Sequence, residues 1–296
     1  MDLEVNFKQK GENMKEYENI EKDLTKIYRK NIWSKFVKGI CDFQMIKEGD
    51  KIAVCISGGK DSMLMAKCFQ EIKRHRKMNF ELEFIVMNPG YNEENKDKII
   101  KNAEILNIPI KMFETRIFES VERIEENPCY ICARMRRGYL YEEAKRLACN
   151  KIALGHHFDD VIETILMGML YGAQMQTMMP KVNSTSHPGM ELIRPMYFVR
   201  EEDIIKWRDR YDLEFLQCAC KLTENSKYDE NLSKRKETKL LIKRLKENYE
   251  NIDVNIFNSV QNVNLSTLIS YQKGNYKYHF LEDYDIRRNE LEKGIK

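Results

Sequence analysis

Short, nearly continuous apolar runs alternate with amphipathic stretches through most of this chain. Ile52-Ala53-Val54-Cys55-Ile56, Leu82 to Met87, Ile110-Lys111-Met112-Phe113, Lys151-Ile152-Ala153-Leu154 and Leu192-Ile193-Arg194-Pro195 are the apolar runs. Each is too short for a helix and apolar enough to be buried on both faces, which is the signature of strands in a parallel sheet. Helical periodicity fills the gaps: Met63 to about Arg76, Glu93 to Leu106, Ala133 to Cys149, Val161 to Leu170 and Glu201 to Tyr211. Strand, helix, strand in this order predicts an α/β fold, a parallel sheet with helices on both faces, Rossmann-like in layout. Before it, residues 1–34 carry a weak helical pattern through Ile20, Leu24 and Ile27 and read as an accessory helix. The central domain spans 35–216, and 217–296 forms a helical C-terminal extension, highly charged from Asn231 onward.

The first apolar run ends in Ser57-Gly58-Gly59-Lys60-Asp61-Ser62, and a helix pattern begins at once. Strand, glycine turn and helix start together point backbone N–H groups and the positive end of a helix at an anion. Gly58 and Gly59 allow a tight turn and close approach of phosphate oxygens. Ser57 and Ser62 add hydroxyls, Lys60 a cation, and Asp61 a carboxylate able to reach Mg2+ through the phosphates. The Walker A pattern does not apply, because the glycine it needs before Gly59 is Val54. The hexapeptide resembles the PP-loop of the ATP pyrophosphatases, enzymes that cleave ATP between its α and β phosphates.

A second polar group is delivered to the same sheet edge. Lys151 to Leu154 leads into Gly155-His156-His157-Phe158-Asp159-Asp160. Carboxylates commonly cap helix starts, but paired histidines and aspartates at a strand end favour a site over a cap. The methionine-rich stretch Met175 to Pro180 could line a substrate groove with its soft side chains, but reads first as loosely packed core.

Composition narrows the setting. The chain of 296 residues has a net charge of +3, too small by itself to argue for nucleic acid. No apolar run approaches the roughly 20 residues that cross a bilayer, and the first residues lack the charged start and apolar block of a signal peptide. A cytoplasmic protein without membrane contact is expected. In a reducing compartment the 8 cysteines suggest metal or sulfur chemistry more than disulfides. Cys129 and Cys132 have the CxxC spacing shared by zinc sites, redox pairs and iron–sulfur clusters. Cys218 and Cys220 form a tighter CxC, whereas Cys41, Cys55, Cys68 and Cys149 fall on helix or strand patterns and read as small core residues.

Taken together, Asp50 to Ser62, Cys129 to Tyr141, Lys151 to His157, Arg194-Pro195, Arg200 to Ile204 and Ser259 to Val263 resemble the tRNA 2-thiocytidine synthetase family in one register, from about residue 30 to 270. The resemblance implies an adenine nucleotide alpha hydrolase-like fold. It implies an ATP site at Ser57, Gly58, Gly59, Lys60, Asp61, Ser62, Gly155 and His156, with Mg2+ at Asp61 and Asp160. It further implies a [4Fe-4S] cluster held by Cys129, Cys132 and Cys218. The chain departs from the family in having CxC where CxxC is usual, which leaves Cys220 as an alternative third ligand, and in the wording of Asn88 to Asn92.

The expected reaction activates the C2 oxygen of an anticodon-loop cytidine (position 32 in tRNA numbering) with ATP and replaces it with sulfur. Arg134, Arg136 and Arg137, with Lys234 and Arg235 of the basic C-terminal helix, are the expected contacts to tRNA phosphates. The partners implied are tRNA and a sulfur donor, a cysteine desulfurase or free sulfide, with a homodimer admissible. Two other readings compete. His156-His157-Phe158-Asp159-Asp160 followed by Glu163-Thr164 looks like the HHxDDxxET wording of a lysidine-type tRNA ligase, which needs no cysteines. A non-catalytic ATP-binding redox sensor would use the cluster without turnover.

Overall fold

The computed structural model describes residues 3–5, 14–75, 78–121, 124, 128–216, 230–282 and 284. Strands β1 (Leu3–Val5), β2 (Lys51–Ile56), β3 (Glu81–Asn88), β4 (Ile110–Glu114), β5 (Lys151–Ala153), β6 (Lys181–Asn183) and β7 (Glu191–Ile193) form a 7-stranded sheet in the order β1-β4-β3-β2-β5-β7-β6. The pairs β4–β3, β3–β2, β2–β5 and β5–β7 are parallel, as the apolar runs predicted. The edges correct the all-parallel expectation: β1 runs antiparallel to β4, and β6 antiparallel to β7. Sequence order reverses between β3 and β5, on either side of β2, and ligands in such sheets bind beyond the strand ends at that switch point.

The helices are α1 (Met14–Thr25), α2 (Ser34–Asp42), α3 (Lys60–Arg74), α4 (Glu93–Ile105), α5 (Ile117–Val121), α6 (Pro128–Arg146), α7 (Phe158–Gly172), α8 (Glu201–Arg210), α9 (Glu230–Asn248) and α10 (Ile252–Ser259), with a π-helical turn at Arg29–Trp33. Alternation along β2 sorts the core. Val54 and Ile56 face one layer with Leu64, Phe69, Ile99 and Trp207, while Ala53 and Cys55 face the other with Val121, Tyr141 and Ala144. A third cluster joins α7 to the C-terminal helices through Phe158, Ile162, Ile165, Ile242 and Phe257.

Ile20 and Leu24 of α1 are buried as their spacing predicted, but Ile27 lies beyond the helix and is exposed. Lys67, fully buried on α3, anchors α1: its Nζ donates to Glu21 Oε1 at 2.6 Å and to the Leu106 carbonyl at 2.8 Å. Such a cation is tolerable in the interior only because charge and lone pairs meet it there.

Further expectations need correction. The CxxC does not interrupt the helical pattern but lies in the first turn of α6, where Pro128 is suited to a position whose N–H has no helical partner. Cys55, Cys68 and Cys149 are core residues, but Cys41 is exposed. The C-terminal region is not helical throughout, because β8 (Ser270–Lys273) and β9 (Tyr276–His279) form a separate hairpin.

Candidate active site

Gly58 makes the turn after β2 with φ +81, and a Cβ there would stand 2.7 Å from Ile99 Cγ1 and 3.0 Å from Leu216 Cδ1. Glycine is therefore required both by conformation and by space. The serines brace the loop from within. Ser62 Oγ accepts from the Ser57 N–H at 3.1 Å, lies 3.1 Å from Ser57 Oγ and donates to the Gly59 carbonyl at 2.9 Å. Lys60 and Asp61 open α3, so the loop and the first helical N–H groups face the same space. Lys60 Nζ lies 3.2 Å from Glu201 Oε1 and 3.3 Å from Asp61 Oδ1. Asp61 Oδ1 is buried and accepts no hydrogen bond from the protein, an acceptor left over for a ligand or cation.

Gly155 follows β5 and packs against this helix start: a Cβ would meet the Ser62 backbone nitrogen at 3.1 Å. This close approach brings the histidine–aspartate segment to the phosphate loop. His157 Nε2 lies 3.9 Å from Asp61 Oδ1 and 3.6 Å from Asp160 Oδ2, so one imidazole gathers the carboxylates expected to share Mg2+. Asp160 also does the work of a cap, accepting the His157 N–H at 3.0 Å. Burial pushes its pKa up, but His157, His156, the His157 N–H and Arg235 together pull it further down, and the carboxyl is held below its ordinary range. Burial drives His156 down to about 4, so its ring is neutral at physiological pH, with Nδ1 making no hydrogen bond.

Two cavities meet here. The larger, about 960 Å³, is lined by the loop residues Ser57, Gly59, Lys60 and Asp61 with Glu201 and Phe215. The smaller, about 270 Å³, includes Ser62, Gly155, His156 and Asp160. Both contain Ser57, Asp61, Tyr91 and Arg136 in their walls. Arg136 comes from α6, one turn beyond Cys132, and residues four apart on a helix share a face. The cysteine helix thus presents that face to the nucleotide crevice. From the other side, Leu216, two residues before Cys218, lines the larger cavity and donates its N–H to the Gly58 carbonyl at 3.1 Å. The Cys129 side chain, Cys218 and Cys220 lie outside the described residues. What is described fits a polyphosphate at the loop; of the expected cluster ligands, only the Cys132 side chain is among the described residues, which by themselves form no group of three metal ligands.

The candidate tRNA contacts separate. Arg134 and Arg137 are exposed, whereas Arg136 is half-buried, Nη2 3.4 Å from the Tyr91 hydroxyl, and faces the cavities rather than solvent. Arg235 of α9 lies 3.6 Å from Asp160 and 3.5 Å from Glu163, closing the site from the C-terminal side. Lys234 sits over the Tyr171 ring at 5.7 Å. Met175 and Met179 are 56% and 55% exposed, so that stretch is surface, not core. Sequence reasoning missed Glu201 and Lys239 as site residues: Glu201 lies between Lys60 and Lys239 and so couples the loop to α9. Alternating signs on α3, α8 and α9 were visible, but their convergence is a product of the fold.

Glu163 gives a pH-dependent prediction. Burial, aided by Asp160 and opposed by Arg235, lifts its carboxyl to about 7. Between about pH 4.5 and 7 the folded protein keeps a proton the unfolded chain releases, so stability falls as pH rises through that window. Glu163→Gln should remove this slope and be about 1–3 kcal/mol more stable than wild type at pH 8, after allowance for solvent screening, with little difference at pH 4.5. Urea denaturation at the two pH values measures it.

A serine-braced glycine loop at the switch point of a Rossmann-like sheet, facing a histidine–aspartate strand end, defines an α/β protein of the PP-loop class. The PP-loop domain family matches residues 17–237. Among curated relatives, the tRNA-cytidine(32) 2-sulfurtransferase of Pelobacter propionicus is 33% identical over 239 residues, covering 79% of this chain and 86% of the relative. The chain belongs to this family. The corresponding protein of Polaromonas naphthalenivorans is 32% identical over 247 residues, 81% of this chain and 75% of the relative. Among solved structures, the U34-tRNA thiolase NcsA from Methanococcus maripaludis with its [4Fe-4S] cluster superposes with a TM-score of 0.57 at 22% identity, covering 80% of each chain. That likeness is one of fold. No described helix is long and apolar enough to cross a membrane.

Proposed function

We propose that this protein is a tRNA sulfurtransferase that thiolates C2 of cytidine 32 in the anticodon loop, consuming ATP and releasing AMP and pyrophosphate. The observation that carries the reading is the meeting of the PP-loop, His156 and Asp160, and the cysteine helix around adjoining cavities. A carbonyl oxygen is a poor leaving group. Attack of the cytidine O2 on the α phosphorus expels pyrophosphate and converts that oxygen into part of a phosphate ester. Hydrosulfide then adds at C2, and AMP departs with the original oxygen.

The loop N–H groups, Ser57, Ser62 and Lys60 bind the charge that develops on the departing pyrophosphate. Asp61 and Asp160 would hold Mg2+ against the phosphates. Arg136 reaches the same space from α6. Neutral His156, with an unused ring nitrogen, can accept the proton that hydrosulfide sheds on addition. The cluster, held by Cys129, Cys132 and Cys218, would supply the sulfur through an iron not ligated by protein. Arg134, Arg137 and the basic face of α9 serve the tRNA. A cysteine desulfurase or free sulfide provides the sulfur, in the cytoplasm, to a protein acting as a monomer or a homodimer. Mass spectrometry of tRNA nucleosides from a strain lacking the gene should show loss of 2-thiocytidine, restored by the wild-type gene. Undiminished 2-thiocytidine would overturn the reading.

A further inference from the structure

Beyond β7, on the side of His156 away from the PP-loop, stands a cation the reaction scheme does not use. Arg194 follows β7 directly and is 7% exposed. Nη1 donates to the Met179 carbonyl, while Nε is buried without a partner. Among the described residues no carboxylate lies within 4.0 Å of its guanidinium, in contrast to Arg200, Arg74 and Arg235, which all have one. Burial first, then the second cation Arg137 of α6, brings Arg194 down to about 10, against a smaller opposing pull from Asp160, which makes no contact with it. Burying a guanidinium without a counter-charge costs several kcal/mol. A hydrogen bond to one carbonyl does not offset that, and an apolar side chain would pack there at less cost.

A buried cation that no described carboxylate contacts, beside an exposed one, is the electrostatic outline of an anion site. The anion is not supplied by ATP, because neither arginine lines the cavities that the PP-loop lines. Resting on the tRNA reading above, we propose that Arg194 and Arg137 bind a backbone phosphodiester of the tRNA next to the target nucleotide and so set the target base against His156. The placement suits this role. Arg194 and His156 leave neighbouring parallel strands, β7 and β5, at their carboxyl ends, and Arg137 stands beside Arg136, which opens into the cavities. The exposed methionine segment at 175–179 is held from beneath by Arg194 and by the Tyr197 hydroxyl donating to the Met178 carbonyl at 2.9 Å.

The test is tRNA binding by the full-length protein across 50–300 mM potassium chloride, comparing wild type, Arg194→Met, Arg194→Lys and Arg137→Met. One lost phosphate contact should lower the slope of log Kd against log salt by about 0.7–0.9 and weaken binding about tenfold at low salt in Arg194→Met and Arg137→Met. Arg194→Lys should keep the wild-type slope, since the charge remains. ATP affinity should not change in any variant. Without tRNA, Arg194→Met should melt at or above the wild-type temperature, because it removes a buried charge that no described carboxylate contacts. Wild-type slope and affinity in both methionine variants would overturn the inference. So would an Arg194→Met protein that is destabilised but binds tRNA normally, which would mark Arg194 as a strap for the methionine segment. Should Arg194→Met not fold, Arg137→Met and Arg194→Lys decide it by the same slopes. A wild-type protein that binds no tRNA at low salt would instead remove the tRNA reading itself.

Discussion

Asp61→Ala should abolish pyrophosphate release in the presence of tRNA, by at least about 10²–10³-fold, while far-ultraviolet circular dichroism and iron content stay as in wild type. The magnitude is that of losing one preorganised electrostatic group from a developing polyanion. The position explains why so much rests on one carboxylate. Asp61 is the second residue of α3, its Oδ1 is buried with no hydrogen bond, and the Lys60 ammonium and the His157 ring are its neighbours. Without it, Lys60 keeps Glu201 alone, and the crevice loses the acceptor that faces both cavities. The fold should not suffer, because the loop is braced by Ser57 and Ser62 rather than by Asp61. Asp61→Asn separates the roles: it preserves shape and hydrogen bonding but not charge. It should fail as badly as alanine if the carboxylate holds Mg2+. Unchanged pyrophosphate release in Asp61→Ala would remove the PP-loop from the reaction.

The parallel sheet and its switch point were legible because each buried strand is an apolar run that ends in a polar motif. Ser57 to Ser62 and Gly155 to Asp160 could be read as partners for the same reason, since parallel strands deliver their carboxyl ends to one edge. The antiparallel edges were not legible. Leu3–Val5 and Lys181–Asn183 are too short to carry a period, and their pairing depends on neighbours brought from far along the chain. Arg136 looked like its neighbours Arg134 and Arg137 in sequence, because spacing alone does not say which face of α6 meets the crevice. Glu201 was hidden differently. As the first residue of α8 it reads as an ordinary acidic helix start, and only packing places Lys60 and Lys239 on its two oxygens. Met175 and Met179 misled by composition, since an apolar stretch was taken for core when its backbone is strapped at the surface.

The cysteines carry the second large effect. Cys129→Ala, Cys132→Ala and Cys218→Ala should each eliminate thiolation and lower iron content, while ATP binding persists. Cys129 and Cys132 stand three residues apart in the opening turn of α6, on adjacent positions of one helical side, where the positive end of the helix favours thiolates. The turn that follows reaches the nucleotide crevice through Arg136, and the chain before Cys218 is tied to Gly58 through Leu216. Three cysteine ligands leave one iron of a four-iron cluster without a protein thiolate, which is the chemical requirement for carrying a transferable sulfide. A zinc site built from Cys129, Cys132, Cys218 and Cys220 would have no such position, because structural zinc is closed by four ligands. Cys220→Ala therefore decides between the metals: an open-site cluster should survive it with iron and colour intact, and a four-cysteine zinc site should lose affinity. Anaerobically prepared wild-type protein should be brown, with about four irons per chain. A colourless, zinc-containing protein under those conditions would refute the cluster and the route of sulfur delivery, while leaving ATP binding at the PP-loop untouched.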